Sequence, residues 1–233
     1  YLLRGLRRGS RNDFILAGIA LGIGLNGYSP IRVLPFVVLL AVGLFLLHKR
    51  DALKRKQVLL GLILLVLFAS LMFMPMIRYT LENPEGVMQR SLSRLAESER
   101  ELPGPAAEIF LQNLIDGLAM LNLSDGIIWV VEVTNRPALD IISGAFFILG
   151  VALLIYRYIR KLNWQDLFLL LAVPVLMMPS ILALAYPDEN PALNRASGAS
   201  IVVFLIVAIA FEAVIRGLYT NFNSRWKKEI VGG

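Results

Sequence analysis

Residues 58–77, VLLGLILLVLFASLMFMPMI, run for twenty positions without a charged side chain. A bilayer's hydrocarbon core, ~30 Å thick, is crossed by about 20 apolar residues in helical form. Lipid offers no hydrogen-bond partners, so a spanning chain must satisfy its own backbone groups, as helices and closed barrels do. Five further stretches approach the same character. The expected fold is an all-α polytopic membrane protein with about six transmembrane helices, over 14–28, 33–47, 58–77, 141–156, 167–186 and 200–218. The first is short and Gly-rich. The fifth contains Pro174 and Pro179, which are expected to bend it. Composition agrees, with 57% hydrophobic residues and a mean hydropathy of +0.68. No repeat or low-complexity linker divides the chain, so 1–233 reads as a single transmembrane domain.

The distribution of charge assigns the sides. Segments 1–13, 48–57, 157–166 and 216–233 carry four, five, three and four basic residues, 16 of the chain's 23. All the lysines are among them. The alternate segments, 29–32, 78–140 and 187–199, hold 12 of the 17 acids and seven arginines. Basic residues concentrate in cytoplasmic loops, so both termini are expected inside and the long loop 78–140 outside. The net charge of +6 is then a signature of topology, and no aromatic-basic patch suggests a nucleic-acid partner. An inner-membrane, multi-pass location follows. The first residues do not read as a signal peptide; with no Met at position 1, the chain is expected to be a fragment or a processed product.

Within the outer loop, Arg90, Arg94 and Glu97 share a helical spacing that suggests a polar helix over 85–101. Residues 106–121 repeat Glu108, Gln112 and Asp116 on one stripe of an otherwise apolar helix, suited to an interface or to the flank of a bundle. Residues 127–133 read as a strand or interfacial segment with Trp129 at the headgroup level, and Asn122 opens a glycosylation sequon.

Some chemistries lack their residues. There is no cysteine, so disulfides and thiolate chemistry are out. The one histidine, His48, stands beside Lys49 and Arg50 and reads as a helix-end residue. No cofactor-binding or metal-binding motif appears. No acid sits mid-span, which argues against an ion relay. What remains is a set of outer-side arginines. Arg32 follows Pro30 at the start of the second span, with Tyr28 four residues earlier; Arg195 precedes the sixth span; Arg90 lies in the long loop. Helix starts and guanidinium groups both attract phosphate, so these four residues are candidate binders of a lipid phosphate. Simpler roles compete: Arg32 and Tyr28 as interfacial anchors, Arg195 paired with Asp188 or Glu189, and Arg90 as a solvated charge. Glu212 and Arg216 read as an i,i+4 ion pair.

The stretch GIALGIGLNGYSPIRVLPFVVLL, with Tyr28, Pro30, Arg32 and Pro35, resembles a hairpin of GT-C class membrane glycosyltransferases, the relatives of dolichyl-phosphate-mannose–protein mannosyltransferases and of the aminoarabinose transferase. NPEGVMQR, with Pro84 and Arg90, and NPALNRASGAS, with Arg195, are similar to other loops of that family; Ser200 stands where a proline is common. The resemblance implies transfer of a sugar from a polyprenyl-phosphate donor to an extracytoplasmic acceptor, with basic residues holding the donor phosphate. It also implies a catalytic Asp in the first outer loop, and here that loop, NGYSPIR, has no acid. Neither Glu82 nor Asp125 has the spacing to replace it. The expectation is therefore the C-terminal membrane portion of such an enzyme, inactive alone. The alternatives are a non-catalytic transmembrane subunit of a larger complex, for instance an energy-transducing one, and a transporter. The expected partners are a polyprenyl-phosphate-linked sugar or another anionic lipid, membrane lipids and other transmembrane subunits.

Overall fold

The computed structural model describes residues 1–49, 51–85, 101–126 and 133–231, with side chains up to 220. Those residues form helices and no strand. Chain order is α1 (Leu2–Arg8), α2 (Arg11–Leu25), a 3₁₀ turn (Ser29–Val33), α3 (Leu34–His48), α4 (Ala52–Glu82), α5 (Ala106–Met120), α6 (Ile141–Lys161), α7 (Trp164–Ile181), a second 3₁₀ turn (Pro187–Glu189), α8 (Leu193–Ala196) and α9 (Gly198–Val231). Among the described residues, five segments are long and apolar enough to cross a membrane: Ser29–His48, Ala52–Glu82, Ile141–Lys161, Trp164–Ile181 and Gly198–Thr220. The expected span at 14–28 corresponds to α2, whose 15 residues reach only ~22 Å at 1.5 Å per residue.

Capping explains several boundaries. Asp51 and Asp140 accept backbone N–H bonds at the starts of α4 and α6. Gly9 ends α1 at φ 69°, the left-handed conformation that glycine adopts without strain. The apolar stretch of 58–77 extends in both directions into a 31-residue helix that carries Pro75 inside it. The span at 167–186 ends earlier, at Ile181 just past Pro179, and 182–197 becomes loop and short turns.

Two apolar cores form. The first gathers Leu6, Phe14, Ala41, Val42, Phe45, Val58 and Leu65 from α1–α4, together with Trp164. The second gathers Met120, Leu154, Val173, Met177, Ile181, Val203 and Ile206 from α5–α7 and α9. In the first, α2 and α4 run parallel: Phe14 lies beside Gly61, Gly18 beside Leu65 and Gly22 beside Ala69, each pair 47 residues apart. A Cβ built on Gly18 would stand 2.4 Å from the Leu65 carbonyl oxygen, and one on Gly22 at the same distance from that of Ala69. This is the close backbone approach that a small-xxx-small pattern permits in membranes. Asn26 closes the contact by donating from Nδ2 to the carbonyls of Gly22 and Met72 at 2.8 and 3.0 Å.

Helix α7 is central, with 44% of its most apolar window buried against 17–28% for the other four spans. It runs antiparallel to α3: Trp164 meets Phe45 edge-on at 5.6 Å, and Leu176 lies near Leu34 at the other end. The basic end of the bundle is tied by buried carboxylates. Asp13 pairs with Arg4 at 2.5 Å and Asp166 with Arg157 at 3.0 Å. His48 ends α3 as expected, its Nδ1 2.8 Å from the Leu44 carbonyl and its Nε2 3.3 Å from the Tyr158 hydroxyl. Glu212 and Arg216 pair at 2.6 Å, as their spacing suggests.

The amphipathic segment 106–121 is α5. It buries Ile109, Asn113, Gly117 and Met120, the face that packs on α7, exposes Leu111, Ile115 and Leu118, and keeps Gln112 and Asp116 hydrogen-bonded to each other on its exposed polar stripe. The expected polar helix with Arg90, Arg94 and Glu97 and the segment around Trp129 fall mostly or wholly outside the described residues.

Candidate functional site

At the end of the bundle opposite the buried ion pairs, the Ser29–Val33 turn meets the loop that follows α7. Pro30 fixes the first residue of the turn, and the Ile31 amide closes on the Tyr28 carbonyl at 3.0 Å. A 3₁₀ turn repeats every three residues. Pro30 and Val33 therefore share one face, Ile31 and Leu34 a second, and Ser29 and Arg32 the third. The first two faces line a cavity of about 200 Å³, completed by Tyr28, Leu176, Arg195, Ser197 and Gly198. Two of the sequence-predicted residues, Tyr28 and Arg195, thus share one cavity. Arg32 flanks it on the remaining face of the turn and is half-buried. Arg90 lies outside the described residues.

Arg195 is held from two directions. Its Nη2 donates to Glu189 in a tight ion pair, and its side chain is 14% exposed. Its backbone belongs to a loop anchored by buried polar groups. Ser180 donates from Oγ to Asn190 Oδ1 at 2.8 Å and accepts the Ala192 amide at 2.9 Å. Asn190 donates from Nδ2 to the Asn113 carbonyl, and Asn113 from Nδ2 to the Ile181 carbonyl, both at 2.9 Å. These bonds tie α5, α7 and the 190–192 loop into one support.

Against that background, three buried side-chain atoms among the described residues have no hydrogen-bond partner: Arg32 Nε, Arg195 Nη1 and Asp125 Oδ1. Leaving a buried polar group unpaired costs about 1–3 kcal/mol. Two of the three belong to arginines predicted from sequence, at the edge of one cavity. The remaining lining is mostly aliphatic. The arrangement suits an oxyanion attached to an apolar body, with Arg195 Nη1 as a charge-assisted donor.

Sequence reasoning did not single out the support. Asn113, Ser180 and Asn190 carry no motif, and only the fold brings residues this far apart in the chain into one network. Asp125 is 3% exposed, and its segment pairs with the 135–136 turn through the Arg136 carbonyl and the Asn135 amide. Its burial, like its missing partner, has no signal in spacing. Compared with family models, curated proteins and solved structures, the chain finds no match.

Proposed function

We propose that this chain is the donor-binding membrane portion of a glycosyltransferase that moves a sugar from a polyprenyl-phosphate carrier to an acceptor on the extracytoplasmic side. In this reading α2 is a short first span, the bundle has six crossings, and both termini are cytoplasmic in the inner membrane. The cavity at Tyr28 and Arg195 receives the donor phosphate, with Arg32 adding positive potential beside it. The observation that carries the reading is a mostly apolar cavity lined by Arg195, whose guanidinium has a buried Nη1 without a hydrogen-bond partner. A guanidinium there stabilises the phosphate left as the sugar departs. The catalytic carboxylate has no counterpart in the first outer loop, so the reading assigns donor binding to these residues and leaves the acid unassigned.

Binding of a polyprenyl-phosphate sugar to the full chain in nanodiscs tests this. Arg195→Ala removes one charge-assisted bond, worth ~1.5–3 kcal/mol, and is expected to weaken binding roughly ten- to hundredfold. Unchanged affinity would remove the site from consideration. Topology is tested separately on a clean background, because the chain has no cysteine. Ser124→Cys is expected to react with an impermeant maleimide from outside, and Asn163→Cys only after permeabilisation; the reverse pattern inverts the assignment.

A further inference from the structure

We infer that the corner between α1 and α2, together with the first turns of α4, is a docking surface for the headgroups of anionic phospholipids. It lies at the basic end of the bundle, opposite the Arg195 cavity, and does not depend on the role of that cavity.

Seven residues are too few for α1 to persist as an isolated helix. It is held by its inner face: Leu6 is buried, Gly5 lies against the Phe14 ring, and Arg4 pairs with Asp13 at 2.5 Å. The corner itself seats on α4, where a Cβ on Gly9 would stand 2.7 Å from Gln57 Oε1. Lys54 precedes Gln57 by one turn on the same face of α4. The fold thus gathers Arg7, Arg8 and Arg11 beside Lys54 and Lys56. All five are exposed, and among the described residues their side chains have no ion-pair or hydrogen-bond partner. Arg55 is spent on the Leu46 carbonyl, 2.7 Å from its Nη2. Two acids belong to these segments. Asp13 is neutralised by Arg4, and Asp51 caps α4. The cations therefore outnumber the one exposed carboxylate. Their level decides the partner. The parallel register of α2 and α4 sets Arg11 level with Val58, where the uncharged stretch 58–77 begins, and Lys54 and Lys56 stand within about one turn below it. Leu3 and Leu53, exposed on the same elements, add apolar contacts suited to the acyl boundary. Cations flush with the edge of the hydrocarbon meet lipid phosphates directly, whereas a soluble polyanion would have to enter the headgroup layer.

The test uses the full chain in phosphatidylcholine nanodiscs at neutral pH, with spin-labelled phosphatidylglycerol as the anionic probe and spin-labelled phosphatidylcholine as the neutral one. A cation near a lipid surface changes partition roughly fivefold, so wild type is expected to prefer the anionic probe by about five- to tenfold. The preference should fall as salt rises from about 0.1 to about 1 M and the screening length shrinks from ~10 to ~3 Å. Arg7→Gln/Arg8→Gln/Arg11→Gln is expected to bring the two probes close to parity, and Lys54→Gln/Lys56→Gln to lower the preference partway at unchanged melting temperature. Arg160→Gln/Lys161→Gln removes two exposed charges from the same end of the bundle on α6 and should leave the preference intact. Should the triple variant lose its fold, the Lys54/Lys56 pair decides alone. No preference in wild type overturns the inference, and so does an undiminished preference in the Lys54/Lys56 variant. An equal loss in the Arg160/Lys161 variant overturns it too, because the net charge of the whole end would then be acting. Displacement of the lipid by inorganic phosphate at comparable concentration would assign the surface to a free anion and overturn the lipid class.

Discussion

Replacing Gly18 by alanine should force α2 and α4 apart, and the size of the effect can be worked from the contact. The new Cβ would lie 2.4 Å from the Leu65 carbonyl oxygen and 3.0 Å from its Cα. Carbon-to-oxygen contacts settle near 3.3 Å or beyond, so the helices must separate by roughly 1 Å. Both obstructing atoms are backbone, and no rotamer change relieves them. Overpacking of this kind costs about 1–3 kcal/mol. Alanine returns up to ~1 kcal/mol through helix propensity, leaving a net loss of about 1–2 kcal/mol. Gly43 in α3 is the control, because a Cβ there meets nothing within 4 Å. Gly43→Ala should keep the propensity gain and stabilise by ~0.5–1 kcal/mol. The two substitutions are chemically identical and opposite in sign. Reversible unfolding in mixed micelles with increasing SDS reads both. Gly18→Ala matching or exceeding Gly43→Ala in stability would refute the parallel, glycine-mediated contact. Adding Gly22→Ala to Gly18→Ala should cost less than the two single losses together, since one displacement relieves both clashes.

Ser180→Ala removes the hydroxyl shared by the part-buried Asn190 and the buried Ala192 amide. Two orphaned groups at ~1–3 kcal/mol each predict a loss of about 2–4 kcal/mol in the same unfolding assay, together with faster hydrogen exchange across 182–197. For Asp140, hydrogen bonding from Ser143, through its hydroxyl first and its amide next, holds the carboxyl below the ordinary aspartate range. Stability from this cap is therefore present in full above the unfolded pKa, near 3.9, and is lost as pH falls through the lowered native value. The stability gap between wild type and Asp140→Ala should be open at pH 7 and close at strongly acidic pH; a gap that widens on acidification would contradict the cap.

The membrane helices were legible because twenty uncharged residues allow little else, and because lipid makes the backbone's needs local. The amphipathic reading of 106–121 survived as α5 for the same reason: its three-way division into buried, polar and apolar faces is written in helical spacing. Span limits were less legible. Pro179 and the polar loop that follows stopped α7 at Ile181, whereas Pro75 did not interrupt α4. Tyr28 and Arg195 were identifiable as candidates, but their shared cavity was not, since it depends on α3 and α7 packing antiparallel. The turn at Ser29–Val33 gave the least expected outcome. Its three-residue period sets Arg32 on a different face from its neighbours, a distinction that helical spacing alone does not draw. Pairing of Arg195 with Glu189 was foreseeable from proximity.

The two apolar cores have a mechanical consequence. The 1–82 half and the 106–220 half each have their own interior, joined where Trp164 enters the first and Val33, Leu34 and Val37 pack against the second. The cavity sits on the seam, its walls drawn from Tyr28–Leu34 on one side and from Leu176 and Arg195–Gly198 on the other. A molecule lodged there bridges both halves and acts as a wedge or a rivet according to its size. Filling the crevice and fastening the two halves to each other are therefore one event.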